Sequence, residues 1–175
     1  MPLEDLLKPA NRDNYDPSVA KSMPPYPGIS LTTHVFLKNM QLGSTLGTVV
    51  ALGSWLRKPR AESFLFQKWP RYAAGGAGVS LFTATAMMGI KMQSIDLEGL
   101  EDRAYRIRHN KMVRGMDWFG VGGAMSMVVI GVGLRRIPGA AKHYPIGHAF
   151  QGMAAGTIAF AVAKALGFDV DMEGR

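Results

Sequence analysis

Four stretches of the chain carry no Asp, Glu, Lys or Arg, and each is about as long as a bilayer is thick. They are Asn39–Leu56 (18 residues), Tyr72–Ile90 (19), Trp118–Leu134 (17) and His143–Ala163 (21). A spanning helix needs roughly 17–25 mostly apolar residues to cross about 30 Å of hydrocarbon. Together the four hold 75 of the 175 residues, which crowds all 33 formal charges into the other 100. This partition predicts an all-α membrane protein with four transmembrane helices. A soluble bundle also buries apolar helices, and the mean hydropathy of +0.05 is low. Composition decides between the two. The segments are rich in Gly, Ala, Ser, Thr and Met rather than Leu and Ile. Glycine costs about 1 kcal/mol in a soluble helix interior, yet it is frequent in membrane helices, where small residues let backbones approach closely.

The domain organisation follows. Residues 1–30 form a Pro-rich arm, expected to be extended around Pro24, Pro25, Tyr26 and Pro27. Residues 31–168 form the four-helix domain (39–56, 72–90, 118–134, 143–163) with a charged connection at 91–117, and 169–175 is an acidic tail. Met1–Ser30 lacks the apolar core of a secretory signal, and Glu4, Asp5, Asp13 and Asp16 break the acid-poor pattern of a transit peptide. The net charge of +7 would suit nucleic acid, but the basic residues flank apolar segments and no nucleic-acid module appears. Without cysteine there is no disulfide, thiolate metal site or cysteine nucleophile.

Lys and Arg density in short loops sets orientation. Loops 57–71 and 135–142 hold 8 basic residues and 1 acid, whereas the remaining connections and termini hold 12 of each. The two basic loops therefore define the non-translocated side, with both termini opposite. Arg57, Lys58, Arg60, Arg135, Arg136 and Lys142 are candidates for contact with lipid headgroups, cardiolipin among them. The connection 91–117 alternates charges of both signs at loosely helical spacing, as on a solvated surface helix or a docking surface for a partner subunit.

Gly43-Ser-Thr-Leu-Gly47 and Gly152-Met-Ala-Ala-Gly156 are GxxxG patterns in the first and fourth segments. Gly75, Gly76 and Gly78, then Gly122 and Gly123, supply small residues in the second and third. Of these, Gly43, Gly47, Gly75, Gly78, Gly122, Gly123, Gly152 and Gly156 are the candidate helix-packing residues. Trp55, Trp69, Trp118, Tyr72 and Tyr144 sit at segment ends, as in an aromatic belt. Lys38 and Lys164 flank the first and last segments, where long stems can snorkel. Asp117 is read either as a helix-start carboxylate or as the partner of Arg114. His34, His109, His143 and His148 are the histidines of the chain; His143 and His148 lie five apart with no carboxylate within that stretch, so interfacial histidines are the reading rather than a metal site. No nucleophile–base set, phosphate loop or carboxylate pair stands out, so neither catalysis nor a cofactor or metal is expected. Gln151, Thr83, Thr85, Ser80, Ser126 and Thr157 are the mid-segment polar residues a solute pathway would have to use, and helix–helix hydrogen bonding is the simpler reading.

Four short Gly-rich helices, termini opposite the basic loops and no presequence together resemble the mitochondrial preprotein and amino-acid transporter family. That family's mark is Arg-x3-Asp, then six residues, a small residue, Gly, x3 and Gly. Here Arg114-Gly-Met-Asp117 has two intervening residues, Gly122-Gly123 follow after four, and position 127 is Met. The resemblance implies residence in the mitochondrial inner membrane, with loops 57–71 and 135–142 in the matrix and both termini in the intermembrane space. It also implies a non-catalytic structural role beside larger membrane subunits and phospholipid. The family's accessory subunit in the membrane arm of respiratory complex I is the nearest role. A protein-import translocase, another respiratory complex or ATP synthase are the alternatives.

Overall fold

The computed structural model describes residues 7–10, 15–59, 64–92, 94–134 and 145–168, and among them all regular structure is helical. The order is α1 (Pro17–Ser22), α2 (Pro27–Arg57), a π-helical turn (Phe64–Lys68), α3 (Trp69–Met92), α4 (Leu97–His109), α5 (Lys111–Leu134) and α6 (Pro145–Ala165).

Local signals set these bounds. Asp16 caps α1, accepting from the Ser18 amide at 2.9 Å and the Ser18 hydroxyl at 2.6 Å. Those two bonds hold its carboxyl below the usual range. Pro27 and Pro145 open α2 and α6, where a missing N–H is no loss. Asp96 caps α4 by accepting from the Gly99 amide at 3.0 Å, and Asn110 separates α4 from α5 by accepting from the Val113 amide at 3.1 Å. At the far end Gly167, at φ 81°, closes α6 with paired bonds from Phe168 N to Ala163 O and from Gly167 N to Lys164 O, both 3.0 Å. This is the glycine-stopped helix end that only a residue without Cβ adopts cheaply.

Three helices are long and apolar enough to cross a membrane: Trp69–Lys91, Lys111–Gly133 and Ile146–Ala165. The chain is a membrane protein on this measure, with three candidate spans rather than four. α2 is longer, at 31 residues, but Asn39, Gln41, Ser44, Thr45 and Thr48 dilute its apolar character. The extended arm is corrected in part. Residues 17–22 are helical, and α2 begins at Pro27, well ahead of Asn39, where the first of the four segments starts. A criterion that stops at the first charge cuts a helix too early when an outer turn carries a residue such as Lys38.

The helices form two antiparallel hairpins, α2 with α3 and α5 with α6. The second hairpin meets the first chiefly where α6 lies against α2 and α3, and α4 crosses the start of α2. Within the first hairpin, Gly43 abuts the Gly76 carbonyl and Ser80, and Gly47 abuts the Tyr72 carbonyl and Ala73. Within the second, Gly123 faces Gly152 and Gly156, and Gly156 faces Phe119 and Gly120. Gly75, Gly78 and Gly122 meet nothing within 4 Å among the described residues. At about 100° per residue, Gly76 takes the inward position and its neighbours in the run point elsewhere.

Candidate functional site

At the end of the bundle where α2 starts, three polar side chains of α2 share one face. His34, Lys38 and Gln41 are spaced four and three apart, so they stack within two turns. All three reach across to the start of α5. Lys38 Nζ lies 2.6 Å from Asp117 Oδ1, and His34 Nδ1 lies 3.4 Å from Asp117 Oδ2. Gln41 Nε2 donates to the Met116 carbonyl at 3.3 Å and approaches Asp117 Oδ1 at 3.4 Å. Gln41 Oε1 accepts from Lys38 Nζ at 3.2 Å. Gln41 is 1% exposed, whereas the Lys38 and Asp117 side chains retain 25% and 22%. Gly120, one turn beyond Asp117, leaves room for the Gln41 amide.

This geometry revises two expectations. Asp117 pairs with Lys38 and His34 of α2, so neither the helix-start reading nor pairing with Arg114 describes it. Lys38 does not snorkel outward, because a carboxylate lies within reach inside the bundle. Arg114 makes no ion pair with Asp117, and its buried Nε has no hydrogen-bond partner among the described residues. It lines an open notch of about 330 Å³ with Asp117, Val121 and Trp118, whose ring is 63% exposed.

A second buried polar group sits at the opposite end. His148, 1% exposed, bonds through Nδ1 to Gln151 Oε1 at 2.8 Å, and Gln151 Nε2 donates to the Leu65 carbonyl of the π-helical turn at 3.1 Å. His148 also packs on Gly131. It is therefore a buried histidine and not an interfacial one, because α5 presents a glycine that lets the ring in. Trp69 nearby donates to the Thr48 hydroxyl at 2.8 Å, and Phe64 bridges Trp55 and Trp69.

The remaining mid-helix hydroxyls turn inward on their own helices. Thr83, Thr85, Ser126 and Thr157 each donate to the carbonyl four residues earlier. Ser80 alone among these hydroxyls crosses, donating to the Asn39 carbonyl at 2.6 Å. No polar track converges on mid-membrane among the described residues. Nor does any group of three or more potential metal ligands occur there. Arg57 and Lys58 are exposed at the end of α2, whereas Arg60, Arg135, Arg136, Lys142, His143 and Tyr144 lie outside the described residues.

Chemically, the α2–α5 cluster is a neutralised clasp. Both Asp117 oxygens meet donors from α2. Sequence reasoning found Asp117 and missed its partners. The signal available was the one-face spacing of His34, Lys38 and Gln41.

Residues 18–161 match the model of a family described as a protein of unknown function (DUF1757). No curated protein matches the chain.

Proposed function

We propose, for a chain that belongs to the DUF1757 family, that it is a non-catalytic structural subunit bracing larger proteins within a membrane assembly. One observation carries this reading: α2 is inside-out. It buries Gln41 and Ser44 while exposing Leu42, Leu46, Val49, Val50 and Leu56, each more than half accessible. In water that pattern is costly; against lipid or neighbouring membrane helices it is the favourable one. α2 is then a fourth span, and an even number of spans would leave both termini on one side.

The notch beside Arg114 and Trp118 supports contact with another subunit. Trp and Arg are the residues that most often anchor interfaces, and a buried guanidinium nitrogen without a partner calls for one. Outward-facing Gly75, Gly78 and Gly122 offer flat ground for neighbouring helices. The absence of a polar track among the described residues argues for support rather than transport. The loose Arg114–Asp117 resemblance favours the mitochondrial inner membrane and the membrane arm of complex I as the first assembly to test, with the basic loops facing the matrix.

The test is a blue-native gel of mildly solubilised membranes, probed for this chain beside an NADH-dehydrogenase activity stain. Co-migration with the active band supports the complex I assignment. Migration in a smaller band that captures arrested precursors transfers the chain to a translocase. Migration as a free monomer refutes the bracing role.

A further inference from the structure

We infer that the groove between α2, α3 and α4 binds one anionic phospholipid. The proposal rests on membrane location alone and is independent of which assembly the chain joins. The groove encloses about 250 Å³, a space suited to a stretch of acyl chain rather than to a whole drug-sized ligand. Its walls are mostly apolar: Leu31 and Val35, one turn apart on α2, line it with Met87 and Met88 of α3, and the side-chain amide of Asn39 between them is held by the Val35 carbonyl at 2.8 Å. Its mouth is cationic. Lys91 closes the candidate span Trp69–Lys91, and Arg103 projects from α4. Both are exposed, and neither has an ion-pair partner among the described residues.

No carboxylate lines the groove among the described residues. On the same helix Arg106 is already held by Asp102 at 3.0 Å, which leaves Arg103 as the cation turned to the groove. An apolar slot that opens between two cations at the end of a span matches a diacyl phosphate ester, chain inward and phosphate outward. A free inorganic anion would use the cations but not the slot. A neutral lipid would use the slot but not the cations. The site lies at the end opposite Arg57 and Lys58, so it is separate from any headgroup contacts made there.

The experiment is native mass spectrometry of the full-length chain in neutral detergent, titrated with dioleoyl phosphatidylglycerol or with dioleoyl phosphatidylcholine. The tails are identical, so the headgroup charge is the only variable. The wild type is expected to prefer phosphatidylglycerol by about thirtyfold, the effect of two basic groups beside an anionic lipid. The exposed double variant Lys91→Gln/Arg103→Gln should lose the preference with its helix content by circular dichroism unchanged. Arg106→Gln should keep it. Equal binding of the two lipids by the wild type, or a preference that survives in the double variant, would overturn the proposal. So would displacement of the lipid by inorganic phosphate, which would make this a free-anion site.

Discussion

Replacing Asp117 by Asn is the sharpest test of the clasp between the hairpins. The substitution keeps the volume and removes the charge that neutralises Lys38. At 2.6 Å the gross attraction in an effective dielectric of about 20 is about 6 kcal/mol. Desolvation of the two ions takes back several kcal/mol of that. The net worth of the pair is therefore small, but breaking it is not. Truncating one partner of a buried pair costs about 3–5 kcal/mol, because the other charge is left behind. With about a quarter of each side chain still accessible, the lower end applies, about 3 kcal/mol. Replacing both partners, Lys38→Met with Asp117→Leu, removes the stranded charge and should recover most of that loss. The assay is denaturant unfolding in mixed micelles, followed by tryptophan fluorescence, with Lys38→Met and Asp117→Leu made singly as well so that the double-mutant cycle closes. A single variant within 0.5 kcal/mol of wild type, or a double variant no better than the single one, would refute the reasoning.

Leucine in place of Gly43 and Gly47 should drive α2 off α3, because a side chain there meets backbone and not a movable neighbour; insertion should persist while assembly into the larger complex is lost, and normal incorporation on a native gel would sink the packing argument. By contrast Gly53→Ala, where nothing lies within 4 Å among the described residues, should raise stability by about 0.5–1 kcal/mol in the same unfolding assay. Gln151→Leu should cost about 1–3 kcal/mol by stranding the Leu65 carbonyl and the His148 ring, and an unchanged unfolding midpoint would count against that bridge. Burial and a hydrogen bond to the Glu101 carboxylate push the Tyr15 hydroxyl up to about 12. The contribution of this contact is thus full below pH 10 and fades as pH rises from about 10 towards 12; the difference between wild-type and Tyr15→Phe absorbance titrations should show one late tyrosine, and a normal titration would place Tyr15 away from Glu101.

Charge-free length located the helical segments, since a span must keep ionised groups out of hydrocarbon. It misjudged their ends. His34 and Lys38 sit in continuous helix because each finds Asp117 inside the bundle. The GxxxG pairs of α2 and α6 were legible as faces, yet the glycine that meets α2 could not be chosen from Gly75, Gly76 and Gly78. Three glycines within four residues look alike until the crossing angle selects one. The clasp was illegible for another reason. Gln41 and Asp117 are 76 residues apart, and periodicity reports which face a residue occupies but never which distant face it meets. His148 was misread likewise, since its burial depends on Gly131 of another helix.

The two hairpins differ in how they are held within and between themselves, and this bears on how the protein is made. Inside each hairpin, backbone lies on backbone at neighbouring segments of sequence, so each pair can close as soon as its second helix leaves the ribosome. The bond from α2 to Asp117 must wait until α5 has arrived, and until then Lys38 stands in an unfinished bundle without its counter-charge. The order of synthesis therefore leaves the first hairpin with an unmatched ammonium that only the second hairpin can neutralise.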